Sequence, residues 1–480
     1  MKSSLRRSCV GATLFIGLSN PILAGCASAP VRQSVSQYEA GDFAASRTSA
    51  TAAIERNAGD HDAWRMKLRA ELALGDSAAM TKTYAAYQRH YNGDDTAVLR
   101  ELAQATLAQG LNSPAPRVRM AAIAGVEEAQ LEALADKVYA ALDDKDPQVA
   151  VTAAIAVINS HPDAAMIAEN MLKNDDPVVR RIAINGIGKK VGKPAIGDLR
   201  AAAIDRDPGA RRAAIRWLSQ LDDAGSVDTL RGRLRDKDDG VRGAAAGALA
   251  KIVPSHKLKI DLTELARAQL AVEGLATRLG AIELARAAGA DDLLRPLAQD
   301  DDTTVALAAV SALAIKDPAL VLAVFERARK AENYAARAGA INVAARAIGD
   351  TAALPFYVEM TQDPHPAVRL AAARALANAS RKDQAQTTIA LAVFVSILET
   401  SAEFDDRLAA ASDLAMYDDG RGPVALGKFV SERSLTADQR TAAAAAHRMG
   451  RVVTAGLVAA LADASGQVRI EAARVLLARR

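Results

Sequence analysis

Cys26 is the residue of this chain best placed to do chemistry. It closes the run Leu23-Ala24-Gly25-Cys26, at the end of a leader that opens with Lys2, Arg6 and Arg7 and continues through an apolar stretch from Cys9 to Leu18. A charged start, an apolar stretch and a small-residue cleavage site make up the secretory signature. The stretch is about ten residues long, whereas a membrane-spanning helix needs about twenty apolar residues. A removable leader is therefore expected rather than a permanent transmembrane anchor. The chain has two cysteines, and Cys9 would leave with the leader. The mature protein then carries one thiol beside its own amino terminus and can form no internal disulfide. Its stability has to come from packing.

The same four residues resemble the cleavage motif of bacterial lipoproteins, in which Leu, a small residue and Gly or Ala precede the cysteine. The resemblance implies cleavage before Cys26, a covalent lipid on it and export to the cell envelope. Ala27 is not the Asp of an inner-membrane retention signal, so the resemblance favours an outer-membrane anchor facing the periplasm. Two other readings stand beside it. Cys26 could be an incidental thiol after a plain signal peptide, and Arg6-Arg7 hints at twin-arginine export, although Ser8-Cys9-Val10 departs from that pattern. Removal of the leader takes Lys2, Arg6 and Arg7, which account for the whole formal charge of +3. The mature chain is neutral, which argues against a nucleic-acid footprint.

Other reactive side chains do not assemble in the sequence. Gly186-Ile187-Gly188-Lys189-Lys190 has the wrong spacing for a phosphate loop, with Pro194 in place of Ser or Thr and no strand before it. Its simpler reading is the glycine-rich end of a helix. Six histidines are scattered, with no His-Glu-x-x-His and no cysteine partner for zinc. His447 reads as a partly buried helix residue. Trp217, Tyr84, Tyr87 and Tyr91 are candidate partner anchors, because aromatics form only 4% of the chain and hot spots favour them. Packing is the competing use. No catalytic residue, metal site, cofactor or small-molecule substrate is expected, beyond the lipid on Cys26.

The elements that must position these residues are helices. Half of the residues are hydrophobic, much of that is alanine, the best helix former, and alternating β-branched runs are missing. From residue 113 onward an anchor position recurs at Val118, Val149, Val179, Ala210, Val241, Thr277, Val305, Ala336, Val368, Asp406, Gln439 and Val468. Four residues past every anchor stands an alanine, and eight past stands Val, Ile or Leu in nine of the twelve copies. Offsets of 0, 4 and 8 trace one helical stripe, with the alanine small because a neighbouring helix presses there. Three residues before the anchor a capping residue recurs, including Asp146, Asp176, Asp207, Asp238, Asp302 and Asn333. Pro147, Pro177 and Pro208 follow at the first helical position. Longer spacings predict inserted loops near Val253-Pro254-Ser255-His256 and Ser380-Arg381-Lys382-Asp383. Arg381 and Lys382 are kept as partner-binding candidates.

The copies Asp146-Pro147-Gln148-Val149, Asp176-Pro177-Val178-Val179-Arg180 and Asp207-Pro208-Gly209-Ala210-Arg211 resemble the HEAT family, in its short Asp-Pro-x-Val-Arg variety related to phycobilisome-lyase repeats. The resemblance covers residues 113 to 480 and implies an all-α fold, a right-handed α-solenoid of stacked helical hairpins. It weakens at Thr277, Asp406 and Gln439, where the anchor is polar. Arginine follows the anchor in ten copies, among them Arg180, Arg211, Arg242 and Arg369. This row is either a cationic stripe for an acidic polymer or a ladder to the turn aspartates. The recurrence of Asp146, Asp176, Asp207 and Asp238, with the neutral charge, favours the ladder. In front, Gly41-Asp42 and Gly75-Asp76 lie 34 residues apart, with Trp64 between them. That resembles tetratricopeptide repeats.

The organisation expected is a signal peptide at 1–25, a lipidated tether at 26–33, a TPR-like cap at 34–112 and about twelve HEAT-like repeats at 113–480. The function expected is a membrane-anchored, envelope-facing scaffold for protein partners, without catalysis. An accessory subunit of an envelope enzyme, or a lyase-like enzyme, is the alternative, and a nucleic-acid-binding HEAT protein ranks below both.

Overall fold

The computed structural model describes residues 28–161, 163–313, 318–379 and 384–479. Among them the secondary structure is helical throughout, with short 3-10 turns and no strand. The leader, Leu23, Ala24, Gly25, Cys26, Arg381 and Lys382 lie outside the described residues. Two compact units are present. One comprises the residues up to Leu134 together with Pro423–Arg480, and the other is Ala135–Gly422.

The central unit follows the repeat. Most anchor-bearing helices begin where a side chain can satisfy the free N–H groups of the first turn, Phe404–Met416 being an exception. The Asp146 carboxylate accepts from the Gln148 and Val149 N–H groups, Asp207 from Ala210 and Asp238 from Val241. Asp176, Asp302 and Asn333 act in the same way. Proline opens the helices Pro147–Ala156, Pro177–Lys190 and Pro208–Gln220, where its missing donor costs nothing. The stripe alanines Ala153, Ala183, Ala214, Ala245, Ala281, Ala309, Ala340, Ala372 and Ala410 are each 0% exposed. No larger side chain fits where two hairpins close at this distance. The glycine-rich stretch after Asn185 has the same origin: a Cβ on Gly186 would stand 2.3 Å from Ile155, and one on Gly188 would stand 2.5 Å from the Trp217 ring.

Thr277, a position where the sequence pattern weakens, is a structural joint. The helix Leu275–Ala288 starts at Gly274, which has no side chain to cap it. Asp239 of the preceding repeat takes over that role. Its carboxylate accepts from the N–H groups of Ala276 and Thr277 and from the Thr277 hydroxyl. The loop expected near Val253–His256 lies slightly later: the helix Asp239–Ser255 runs through Pro254, and the loop follows from His256 to Asp261. Ser255 Oγ donates to Asp222, and Asp222 turns the chain at φ +54°.

The terminal unit opens with helices Ala29–Glu39, Phe43–Arg56, His61–Leu74, Ser77–Tyr91 and Thr96–Gly110. The paired Gly-Asp motifs do the same work twice. Gly41 and Gly75 adopt left-handed backbone at φ +79° and +67°, and Asp42 and Asp76 cap the next helix. The first helix corrects the expected tether at 26–33, because Val31 is fully buried within a helix that begins at Ala29. The last helix, Gly466–Ala478, packs against Thr96–Gly110 and Pro116–Glu128. Its contact is close: a Cβ on Gly110 would stand 2.3 Å from Ile470, and one on Gly466 would stand 2.7 Å from Val118. Arg474 holds Glu128 through two nitrogens at 2.6 and 3.1 Å. The last helix thus shares a core with the helices Thr96–Gly110 and Pro116–Glu128.

Candidate functional site: an arginine-lined groove

Two sets of arginines leave the anchor-bearing helices, and they do different things. The residue after the anchor points into the stack. Arg180 donates from Nε and Nη2 to both oxygens of Asp205 at 2.8 Å, and from Nη1 to the carbonyls of Asn174 and Asp175. Arg337 repeats this with Asp363 and the carbonyls of Ala331 and Glu332. Arg211 reaches Asp236 at 2.6 Å. These groups are nearly inaccessible, with Arg180 3% and Arg211 4% exposed. Burial opposes charge on Asp205, Asp236 and Asp363. The hydrogen bonds from arginine and from turn N–H groups outweigh it and hold all three carboxyls below the usual range.

The partner in this ladder is not the aspartate singled out by the Asp-Pro motif. Asp146, Asp176, Asp207 and Asp238 are helix caps, and the ladder carboxylate sits two residues earlier, at Asp205, Asp236, Asp300 and Asp363. Each also accepts the N–H of the residue two ahead, as Asp205 does from Asp207 at 2.7 Å. A constant offset of five before the anchor was visible in the sequence and was the signal available. Arg242 and Arg369 depart from the pattern. Arg242 donates to Thr277 Oγ1 and to turn carbonyls, and Arg369 to the carbonyls of Asp363 and Pro364.

The second set lies two and six residues past the anchor and faces outward. Arg181, on Pro177–Lys190, and Arg212 and Arg216, on Pro208–Gln220, line an open groove of roughly 660 Å³. Asn185 shares its wall, and Ala244, Gly247 and Ala248 of Asp239–Ser255 complete the lining. Arg181 and Arg212 lie flat over Gly209 and Gly240, where a Cβ would stand 2.9 and 2.7 Å from their Nη1 atoms. Arg212 meets the cap carboxylate of Asp238 at 3.1 Å, and Arg181 approaches that of Asp207 at 3.8 Å. Arg216 donates to the Asn185 amide oxygen at 2.7 Å. Trp217 donates its indole N–H to that same oxygen at 3.0 Å. The tryptophan is half-buried and covers Gly188, so it braces the groove wall by packing.

Tyr84 and Tyr87 are buried among Trp64, His61 and Tyr91 in the terminal unit. Tyr84 Oη donates to Asp94 at 2.6 Å, and burial raises its pKa. His447 is buried, with Nδ1 against the Ala443 carbonyl and Nε2 against Thr454 Oγ1.

Residues 164–250 and 321–415 match the family model of HEAT repeats. These two stretches carry HEAT repeats. Its similarity to solved structures is loose. The complex of CpcE and CpcF of phycocyanin lyase from Nostoc sp. PCC7120 is 18% identical over 59% of this chain and 93% of that one, with a TM-score of 0.27. The UNC-45 chaperone, described as binding and folding muscle myosin, is 12% identical over 88% and 71%, with a TM-score of 0.32. The S. pombe condensin Cnd3-Cnd2 subcomplex is 13% identical over 89% and 74%, with a TM-score of 0.29. With TM-scores this low, none of these likenesses bears on what the chain binds. No curated protein matches the sequence.

Proposed function

We propose that this chain is a lipid-anchored, envelope-facing scaffold that binds protein partners through its HEAT repeats. The observation that carries the binding role is the division of labour among the arginines. Ten of the twelve copies carry an arginine directly after the anchor, yet two adjacent copies place three more on an open groove. The inner ladder is buried, whereas these outward groups meet the cap carboxylates of Asp207 and Asp238 and the Asn185 amide at the surface, where a partner can reach them. The anchor rests on Leu23-Ala24-Gly25-Cys26, and no helix among the described residues is long and apolar enough to cross a membrane.

The test is affinity purification from the native envelope, with metabolic fatty-acid labelling and a Cys26→Ala control. Expected is label on the wild-type chain alone, together with co-purifying protein that survives washing. Equal label on the variant removes the anchor. A chain recovered without partner from both envelope and soluble fractions removes the scaffold.

A further inference from the structure

The groove has a chemistry of its own. In the central unit, Arg181 and Arg212 occupy the same register, two residues past the anchors Val179 and Ala210, on successive repeats. Helices of neighbouring hairpins pack about 8–10 Å apart. Arg216 lies one turn beyond Arg212, about 5–6 Å away. In other copies the equivalent position is apolar, as at Val151, Leu307 and Leu370. Arginine two past the anchor is therefore local to these repeats, whereas six past the anchor it recurs at Arg374 and Arg474, where Asp413 and Glu128 hold it.

We infer that this groove docks an acidic, extended peptide segment of a partner protein. The inference rests on the scaffold reading and names the chemistry of its partner. Guanidinium groups present planar forks that match carboxylates in two-point contact. The Arg212–Asp238 pair is half-exposed, with side chains 48% and 28% accessible. Such pairs contribute little by themselves, so an incoming carboxylate can share the fork. An extended chain advances about 3.3 Å per residue. Acidic residues three apart therefore span the distance from Arg181 to the Arg212–Arg216 pair. The floor suits a main chain, because Ala244, Gly247 and Ala248 project almost nothing into the space above them. A Cβ placed on Gly247 meets no atom within 4 Å, so the groove is open directly over this helix.

Fluorescence anisotropy on the full chain tests the inference, using a labelled peptide with Glu at every third residue in a Gly/Ser background and its Gln counterpart. The Glu peptide is expected to bind roughly tenfold or more tighter than the Gln peptide, with affinity falling as salt rises. Combined Arg212→Gln and Arg216→Gln should cost at least about tenfold, and Arg216→Lys should restore only part of the Arg216 share. The Cβ of Gly247→Tyr meets no neighbour and its ring has the open groove to enter, so it should abolish binding while leaving the circular dichroism spectrum helical and the melting temperature no lower. Equal binding of the two peptides overturns the inference, as does Glu-peptide binding that survives Gly247→Tyr. Anionic phosphatidylglycerol vesicles form the second arm. Vesicle capture that these variants remove, without peptide binding, overturns the inference in favour of a membrane surface. The two readings fail separately. Native partners retained by the groove variants sink the groove alone, whereas a wild-type chain that binds the peptide but no envelope protein sinks the scaffold.

Discussion

The central unit and the terminal unit are built from similar hairpins but reach stability by different routes. In the central unit the polar groups are local and repeated. A cap, a turn carboxylate and an arginine from the preceding copy recur at fixed offsets, as in Arg180–Asp205 and Arg337–Asp363. In the terminal unit the decisive contacts join residues hundreds of positions apart. Gln88 donates to the Val453 carbonyl and Arg474 to Glu128. It keeps a ladder rung of its own, Arg440 to Asp463 at 3.1 Å, but adds buried polar groups outside that pattern, with Glu71 and His447 each 1% exposed. A repeat spreads its stability over nearest neighbours, whereas a core closed by distant segments depends on both being present.

The largest effect should come from removing residues 455–480. Hydrogen exchange is then expected to show the helices Thr96–Gly110 and Pro116–Glu128 losing protection by on the order of a hundredfold. The repeats between Asp146 and Asp302 should keep theirs. Uniform loss in both units would erase the contrast.

Breaking one rung of the ladder comes next. Arg180→Ala or Arg337→Ala leaves a buried carboxylate unpaired and should cost about 3–5 kcal/mol in denaturant unfolding. Arg206→Ala, which frees the exposed Asp175, should be near neutral. Equal costs for the two kinds of pair would mean that the ladder is not what holds the central stack.

Between about pH 4 and 7 His447 and Glu71 should make the terminal unit pH-sensitive, whereas the ladder carboxylates of the central unit lose their contribution only in stronger acid. Burial lowers the His447 pKa from 6.5 to about 4, so the unfolded chain takes up its proton first. Stability should fall as pH drops from about 6.5 towards 4, by about 3 kcal/mol at most. Burial raises Glu71 from 4.5 to about 7, so its contribution is present at low pH and lost as pH rises through 7. Glu71→Gln keeps an acceptor for the Thr83 hydroxyl, which stands 2.8 Å away. Thermal melts of this variant should lose the decline between about pH 4.5 and 7. An unchanged profile would show that the carboxyl does not titrate in this range.

The smallest effect sharpens the register. Ala245→Leu and Ala372→Leu should cost about 1–3 kcal/mol through overpacking, and Arg231→Leu on the exposed face should be tolerated. A similar shift in melting for all three would mean that the alanine stripe does not face the neighbouring hairpin.

Much of this architecture was legible in the residues. Alanine four past every anchor is a packing constraint that leaves its mark on composition, so the helical hairpins, their starts and their buried stripe could be read at fixed offsets. The ladder is half legible: the arginines stand out, but proline makes the Asp-Pro aspartates more conspicuous than the carboxylates two residues before them. Asp205, Asp236 and Asp363 carry the same periodic signal. The groove was not legible, because Arg181 and Arg212 gain meaning only when successive copies are placed side by side over a glycine and alanine floor.

By itself the sequence determined the helices, their caps and the small residues at their crossings. These depend on local hydrogen bonding and on side-chain volume, which residue type specifies within a few positions. Tertiary structure alone decided that Gly466–Ala478 joins the N-terminal helices, that Asp239 caps the helix of the next repeat, and that three arginines share one groove. Such pairings are set by which surfaces meet after the helices form, and a periodic pattern fits every copy to every other equally well.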